Sequence, residues 1–123
     1  MKVLLVDDSA FVRNILVKSI AAVYPDAVII MCADGQEAVE AFPSFKPDWV
    51  ITDLLMPGIS GQDLLVKLHA FKHPFKTIVI SADVQTGTKD ELEAYGIESF
   101  INKPLTADKL MILTQLLKAS DVS

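Results

Sequence analysis

The sequence predicts an α/β fold, a (βα)5 unit with a doubly wound, parallel five-stranded sheet. Five short apolar runs alternate with segments of helical spacing along the 123 residues. Short apolar runs bounded by turn residues are typical of buried strands. The runs are continuously apolar instead of alternating, which indicates a sheet covered by helices on both faces. Strands and helices that alternate in this way form parallel sheets with right-handed crossovers.

Each element has a local signal in the sequence. The predicted strands are the apolar runs at 3–6, 28–31, 49–51, 78–80 and 100–101. The five helices are predicted from apolar residues at helical spacing, which are Val12, Ile15, Leu16, Ile20 and Val23; Ala38, Val39 and Phe42; Leu64, Leu65, Leu68 and Phe71; Leu92 and Tyr95; and Leu110, Leu113 and Leu117. Ser9, Ser60 and Thr106 are of types that cap helices, and Gly96 follows the fourth helix. Three prolines are predicted to lie in connections: Pro43, Pro47 and Pro74.

Length and composition indicate one domain, expected over 1–119, with 120–123 as a frayed tail. Apolar residues make up 51% and charged residues 22% of the sequence, which excludes a disordered or fibrous chain. The net charge of −5 argues against direct binding of nucleic acid. No apolar run approaches the roughly 20 residues of a membrane span, and no signal peptide is evident. We therefore expect a cytoplasmic protein without membrane insertion.

Asp53 is the first candidate functional residue. It follows the third apolar run, and the Pro57-Gly58 pair forces a turn soon after it. An ionised carboxylate is costly to bury, so it must face solvent, a cation or a hydrogen-bond donor. The carboxyl ends of the strands are where open α/β sheets bind ligands. A carboxylate that merely initiates the turn is the alternative explanation of this stretch alone.

Other polar residues follow the remaining predicted strands. Asp7 and Asp8 come after the first strand, Ser81 after the fourth and Lys103 after the fifth. Each has an ordinary explanation by itself, since acids favour helix starts and most lysines are solvated. Together they place three carboxylates, a hydroxyl and an ammonium at one edge of the sheet.

In these residues the chain resembles the CheY-like receiver domains of bacterial response regulators over essentially its whole length. The matching residues are Asp7-Asp8, Asp34-Gly35, Asp53 with Met56-Pro57 and Gly61, Ser81-Ala82, and Lys103-Pro104. The resemblance implies the flavodoxin-like strand order 2-1-3-4-5, for which flavodoxin and CheY are standard examples. It thereby implies that strands 1 and 3 are neighbours.

The resemblance also implies a Mg²⁺ site. Two like charges about 4 Å apart repel by about 4 kcal/mol at an effective dielectric constant near 20, so clustered carboxylates call for a cation. Oxygen ligands with room for water suit Mg²⁺. By resemblance, Asp8 and Asp53 bind the metal directly, Asp7 binds it through water, and the backbone carbonyl of Leu55 is a further ligand.

By the same resemblance, Asp53 is the nucleophile that accepts a phosphoryl group from a sensor histidine kinase or a phosphotransfer protein. Lys103 and Ser81 contact the phosphoryl oxygens, and the acyl phosphate is later hydrolysed. The protein is then a phosphoacceptor that assists its own phosphorylation and dephosphorylation, and not an enzyme. Leu55 is expected beside the path of the attacking water, where it offers no hydrogen bond.

The family's switch implies roles for Ser81 and Phe100. The hydroxyl moves toward the phosphate and the aromatic ring turns inward, which changes the surface of helix 4, strand 5 and helix 5 that binds a downstream target. Serine stands at 81 where threonine is commoner in the family, and phenylalanine at 100 where tyrosine is frequent. The alternative for Phe100 is an ordinary core aromatic.

Several alternatives stay open at this point. The chain is either a stand-alone, chemotaxis-like regulator served by a dedicated phosphatase, or a receiver excised from a larger regulator such as a transcription factor. An aspartate-nucleophile phosphatase would place a second acid where Leu55 stands, and a flavin binder would not place Asp7-Asp8 near its phosphate. A pseudo-receiver that only binds partners would lack one of the acids or the lysine. His69 and His73 have a spacing that can bind metal, although a solvated helix end explains them better.

Overall fold

The structure is a computed structural model that describes residues 1–82 and 96–121, with side chains described up to residue 118. The elements in chain order are β1 (Lys2–Val6), α1 (Ala10–Val23), β2 (Val28–Cys32), α2 (Gly35–Phe45), β3 (Trp49–Thr52), α3 (Gly61–His69), β4 (Lys76–Ser81), β5 (Ile97–Asn102) and α4 (Ala107–Asp121). The predicted fourth helix, with Leu92 and Tyr95, lies outside the described residues. The helix predicted as the fifth is therefore α4.

The five strands form one parallel sheet in the order β2-β1-β3-β4-β5, which confirms the predicted fold. Val6 at the end of β1 pairs with Cys32 of β2 on one side and Thr52 of β3 on the other. The carboxyl ends of the three strands are thus level. Because a parallel sheet sends every strand in one direction, the residues that follow these strands emerge at a common edge.

Helices cover both faces of the sheet, as the continuously apolar strands predicted. Alternate residues of a strand point to opposite faces. On one face, buried side chains of β1 and β3 pack against α1 and α4, with these residues: Val3, Leu5, Leu16, Ile20, Trp49, Ile51, Leu113 and Leu117. On the other face the partners are α2 and α3, with Leu4, Val6, Ala38, Phe42, Val50, Leu64 and Leu68. Both faces of the sheet are therefore buried in apolar packing, so a functional site is expected at an edge of the sheet.

The helix caps form as the sequence predicts. The hydroxyl of Ser9 accepts a hydrogen bond from the N–H of Val12, and that of Ser60 accepts one from Asp63. Such caps satisfy N–H groups that have no partner within the helix. Ser9 thereby starts α1 only one residue after Asp8.

Pro43 was predicted to lie in a connection, and this was wrong. It lies inside α2, whose last turn runs on to Phe45 and ends at Lys46, a residue with a left-handed φ of 50°. The N–H of Lys46 donates to the carbonyl of Phe42 at 2.9 Å, and the Phe42 side chain is fully buried. Tertiary packing of that ring holds the turn despite the hydrogen bond that proline removes.

Two predicted strands were too short. β4 begins at Lys76 and β5 at Ile97, earlier than their apolar runs, because parallel pairing includes polar residues such as Ser99 opposite Ile78.

Among the described residues, no helix has both the length and the apolar character that crossing a membrane requires.

Cys32 supplies a first testable prediction. Its side chain is buried at the end of β2, and burial, with smaller effects from Glu37 and Asp34, raises the pKa of its thiol to about 11. A thiol with the ordinary pKa of 9.0 holds roughly a hundredfold more thiolate at pH 8. Labelling of the native chain by a disulfide reagent at pH 8 should therefore be about a hundredfold slower than labelling in denaturant. Equal rates in the two states would contradict the burial of this thiol.

Candidate functional site

The site begins where β1 and β3 leave the sheet side by side. The N–H of Asp53 donates to the carbonyl of Val6 at 3.0 Å, and the N–H of Asp7 donates to that of Cys32 at 3.1 Å. The sheet ladder thus continues one residue beyond each strand. Both acids remain inside the protein, with Asp7 2% and Asp53 5% exposed. Two buried carboxylates in adjacent positions need a positive partner.

Lys103 provides that partner from the end of β5. Its Nζ lies 2.9 Å from Oδ2 of Asp7 and 2.7 Å from Oδ2 of Asp53. The N–H of Lys103 donates to the carbonyl of Ser81 at 2.8 Å, which holds its main chain beside β4. Burial alone would lower the pKa of Lys103, but its hydrogen bonds to Asp53 and Asp7 and their charges outweigh burial, so the pKa is raised. The ammonium therefore stays charged at neutral pH.

The remaining carboxylate oxygens are held by main-chain groups. Oδ1 of Asp7 accepts a hydrogen bond from the N–H of Ser9 at 2.8 Å, and Oδ1 of Asp53 accepts one from Leu55 at 3.2 Å. Both oxygens of Asp7 are thus occupied within the protein. The Leu55 main chain lies beside Asp53, while its side chain is 67% exposed.

Asp8 completes a group of three acids. It is exposed, and it, Asp7 and Asp53 each offer a carboxylate oxygen within 4.8 Å of the others. Three carboxylates face one ammonium, which leaves an excess of two negative charges at the group. A divalent cation has the charge that balances this excess, and carboxylate oxygens are the ligands that Mg²⁺ prefers. The residues present therefore fit a Mg²⁺ ion.

Ser81 brings a hydroxyl to the same edge from the end of β4. Its Oγ is buried and has no hydrogen-bond partner among the residues that the structure describes. A buried hydroxyl without a partner costs free energy of about 1–3 kcal/mol. An oxygen of a ligand placed at this edge would supply the partner.

Phe100 lies near Ser81 on the sheet. It pairs with Val79 across β4 and β5, and Val79 is two residues before Ser81 on the same strand face. The ring is half-buried against a small cluster formed by Leu54, Leu65 and Val79. The structure thus places Ser81 and Phe100 on neighbouring strands, β4 and β5.

Arg13 is a residue of this site that sequence reasoning missed. Its guanidinium donates a hydrogen bond of 2.6 Å to the main-chain carbonyl of Asp7. The only signal in the sequence is a basic residue one turn after the cap Ser9, and that spacing does not specify a carbonyl as the partner.

His69 and His73, in contrast, lie near the opposite end of the sheet. There His73 pairs with the carbonyl of Pro47 at 2.9 Å and His69 lies against Phe75.

Comparison with known proteins identifies the family. The family model described as the response regulator receiver domain matches residues 3–115. The chain belongs to this receiver-domain family. The sheet order β2-β1-β3-β4-β5 is thus that of a receiver domain of response regulators.

Relatives of this receiver domain include chemotaxis proteins. It is 33% identical to the chemotaxis protein CheY of Listeria monocytogenes over 111 residues, which are 90% of this chain and 92% of that protein. It is 40% identical over 107 residues to a protein-glutamate methylesterase/protein-glutamine glutaminase of Thermotoga maritima, which are 85% of this chain. The match covers 30% of that enzyme. The similarity to the enzyme is therefore confined to a part of it.

Solved structures agree with the fold of this receiver domain. The complex of CheX and CheY with BeF3 and Mg²⁺ from Borrelia burgdorferi matches with a TM-score of 0.87 and 27% identity, over 100% of this chain and 90% of that one. The receiver domain of a LuxO repressor protein from Vibrio parahaemolyticus matches with a TM-score of 0.85 and 29% identity, over 98% and 92% of the two chains.

Proposed function

We propose that this receiver domain accepts a phosphoryl group on Asp53 from the phosphohistidine of a sensor histidine kinase or a phosphotransfer protein. The observation that carries the proposal is the bridge of Lys103 between the two buried carboxylates. It holds an ammonium beside the carboxylate of Asp53 at the sheet edge. Phosphoryl transfer needs positioning and neutralisation of charge more than covalent chemistry from the protein.

In the proposed reaction a carboxylate oxygen of Asp53 attacks phosphorus and the phosphorus–nitrogen bond of the donor breaks. Lys103 would then donate to a phosphoryl oxygen, and the Oγ of Ser81, which has no partner in the described part of the chain, would donate to another. Asp8, Asp53 and the Leu55 carbonyl would hold Mg²⁺ directly, and Asp7 through water. The ion, when bound, supplies positive charge for the phosphoryl oxygens.

We propose that phosphorylation changes the surface of the domain that binds a protein partner. Movement of Ser81 toward the phosphate would free space for Phe100, which packs against the cluster of Leu54, Leu65 and Val79. The surface concerned would comprise β5, α4 and the predicted fourth helix, which lies outside the described residues. Exposed Met111 and Ile112 on α4 supply apolar side chains for a protein partner.

We propose that the domain acts in the cytoplasm, with a downstream target protein and a dedicated phosphatase as further partners. The CheY relatives favour a chemotaxis pathway over a transcriptional one. The presence of CheX in the Borrelia complex supports a protein partner of this kind. The net charge of −5 disfavours direct contact with nucleic acid.

The proposal is tested with Mg²⁺ and a small acyl phosphate as donor, with the product located by mass spectrometry. We expect one added phosphoryl group, on Asp53, and none in the variant Asp53→Asn. Asp63→Asn is the matched control, because Asp63 is an exposed acid at the start of α3. Uptake that persists in Asp53→Asn and disappears in the control would reject the assignment.

Leu55 supplies a prediction on the lifetime of the phosphorylated state. Its main-chain N–H donates to Asp53, and its apolar side chain is exposed and offers no hydrogen bond to an attacking water. In Leu55→Asn the side-chain amide would orient that water, and one net hydrogen bond accelerates decay by up to about tenfold. The decay of the phosphorylated chain, measured after removal of the donor, should become faster. Unchanged decay in the variant would remove this role for position 55.

A further inference from the structure

Arg13 holds the main chain that carries the acid pair. It lies half-buried in α1, and its guanidinium donates to the carbonyl oxygen of Asp7 at 2.6 Å. That carbonyl belongs to the peptide group that joins Asp7 to Asp8. On the other side of Asp8, the N–H of Ser9 donates to Oδ1 of Asp7 at 2.8 Å. Asp8 is therefore fixed between two anchored peptide groups.

This arrangement matters because the Asp8 side chain has no anchor of its own. It is exposed, and no hydrogen bond or ion pair to its carboxylate occurs within residues 1–82 and 96–118. Asp7, in contrast, has both carboxylate oxygens engaged. The direction in which Asp8 presents its carboxylate thus depends on the orientation of its main chain, which Arg13 secures.

We infer that Arg13 is a positioning residue for the divalent cation, acting through the Asp7–Asp8 peptide. The inference rests on the proposed function of the three acids. For removal of Arg13, this inference and simple electrostatics predict opposite changes in the affinity for the divalent cation. Removal of a positive charge near a cation site should strengthen binding of the cation. Removal of a group that orients a ligand should weaken it, by tenfold or more for partners of metal ligands.

The test measures the affinity of the full chain for Mg²⁺ by calorimetry, without any phosphoryl donor. Arg13→Met removes both the charge and the hydrogen bond, and we expect binding about tenfold weaker. Lys18→Met is the matched control, because it removes an exposed charge from the same helix. The control should bind Mg²⁺ within about twofold of the native chain, since an exposed charge is well screened. Native or tighter binding in Arg13→Met would overturn the inference.

A second variant separates geometry from charge. Arg13→Lys keeps the charge but replaces the planar fork of donors with a single ammonium. We expect Mg²⁺ binding weaker than native in this variant as well, and native affinity would overturn the inference. Circular dichroism reports whether Arg13→Met folds. If it does not fold, Arg13→Lys alone tests the positioning role of Arg13. Failure of the native chain to bind Mg²⁺ would reject the proposed function instead, so the two failures are distinguishable.

Discussion

Gly61→Ala is expected to lower the free energy of unfolding by about 3 kcal/mol, near the upper end of the range for overpacked sites. A Cβ at this position would overlap the carbonyl oxygen of Asp53 and would lie 2.8 Å from Cα of Leu54. Both neighbours are main-chain atoms, so no side chain can turn aside to make room. The loop after β3 would have to move away from α3. Urea denaturation with the linear extrapolation measures the change.

Gly58→Ala is the matched control in the same loop. Gly58 has a φ of +79°, but a Cβ there would meet no atom within 4 Å. Its replacement therefore costs only the left-handed backbone conformation, about 1 kcal/mol. If Gly61→Ala were no more destabilising than Gly58→Ala, close approach of the loop to α3 would not be the reason for glycine at 61.

The Gly61 replacement should also impair the proposed chemistry. The Asp53 carbonyl that the new Cβ would displace belongs to the residue that is proposed to take up phosphorus. The N–H of Gly61 also donates to the carbonyl of Leu54 at 2.9 Å, which closes the loop. We therefore expect slower phosphoryl uptake in Gly61→Ala even below its unfolding temperature, and unimpaired uptake in Gly58→Ala.

Lys103→Met is the second variant for which we expect a large decrease in the free energy of unfolding. The variant keeps most of the side-chain volume but leaves Asp7 and Asp53 buried without their ammonium. Breaking a buried ion pair by removal of one partner costs about 3 kcal/mol or more, so we expect a loss of that size at neutral pH. Phosphoryl uptake on Asp53 should fall as well. Added Mg²⁺ should restore part of the stability, because a divalent cation neutralises the same acids.

The pH dependence of this loss follows from the raised pKa of Lys103. A raised pKa in the folded state means that the contribution to stability is complete below the pKa of unfolded lysine, about 10.4. It disappears as the pH rises through the higher pKa of the folded state. The native chain and Lys103→Met should therefore differ most at neutral pH and converge above about pH 10.4. A constant difference up to pH 12 would contradict the charge-based explanation.

Lys109→Met is the control for this experiment. Lys109 is half-buried and its Nζ donates to the carbonyls of Asn102 and Pro104, at 2.7 and 3.3 Å, in the same region as Lys103. It pairs with no carboxylate in the described part of the chain, so its loss should cost about 1 kcal/mol or less. A loss as large as that of Lys103→Met would show that any lysine in this region matters equally.

Much of the architecture was readable from the sequence. Continuous apolar runs such as 3–6 and 49–51 predicted a sheet buried on both faces, and helical spacing predicted α1, α2, α3 and α4. These patterns are reliable because burial imposes a period on each element separately. The strand order came from the family resemblance and not from periodicity. Because Asp7, Asp8 and Asp53 each follow a predicted strand, the sequence alone predicted that they lie at one edge of the sheet.

Residue types and their spacing were therefore enough to predict the elements and the acids that follow the strands. The bridge of Lys103 between Asp7 and Asp53, the burial of the Ser81 hydroxyl and the continuation of α2 through Pro43 became known only from the folded chain. The same is true of the hydrogen bond that the Arg13 guanidinium donates to the Asp7 carbonyl. The physical reason is that residue type and spacing report burial along one element, whereas these contacts join elements distant in sequence or use main-chain groups that every residue carries.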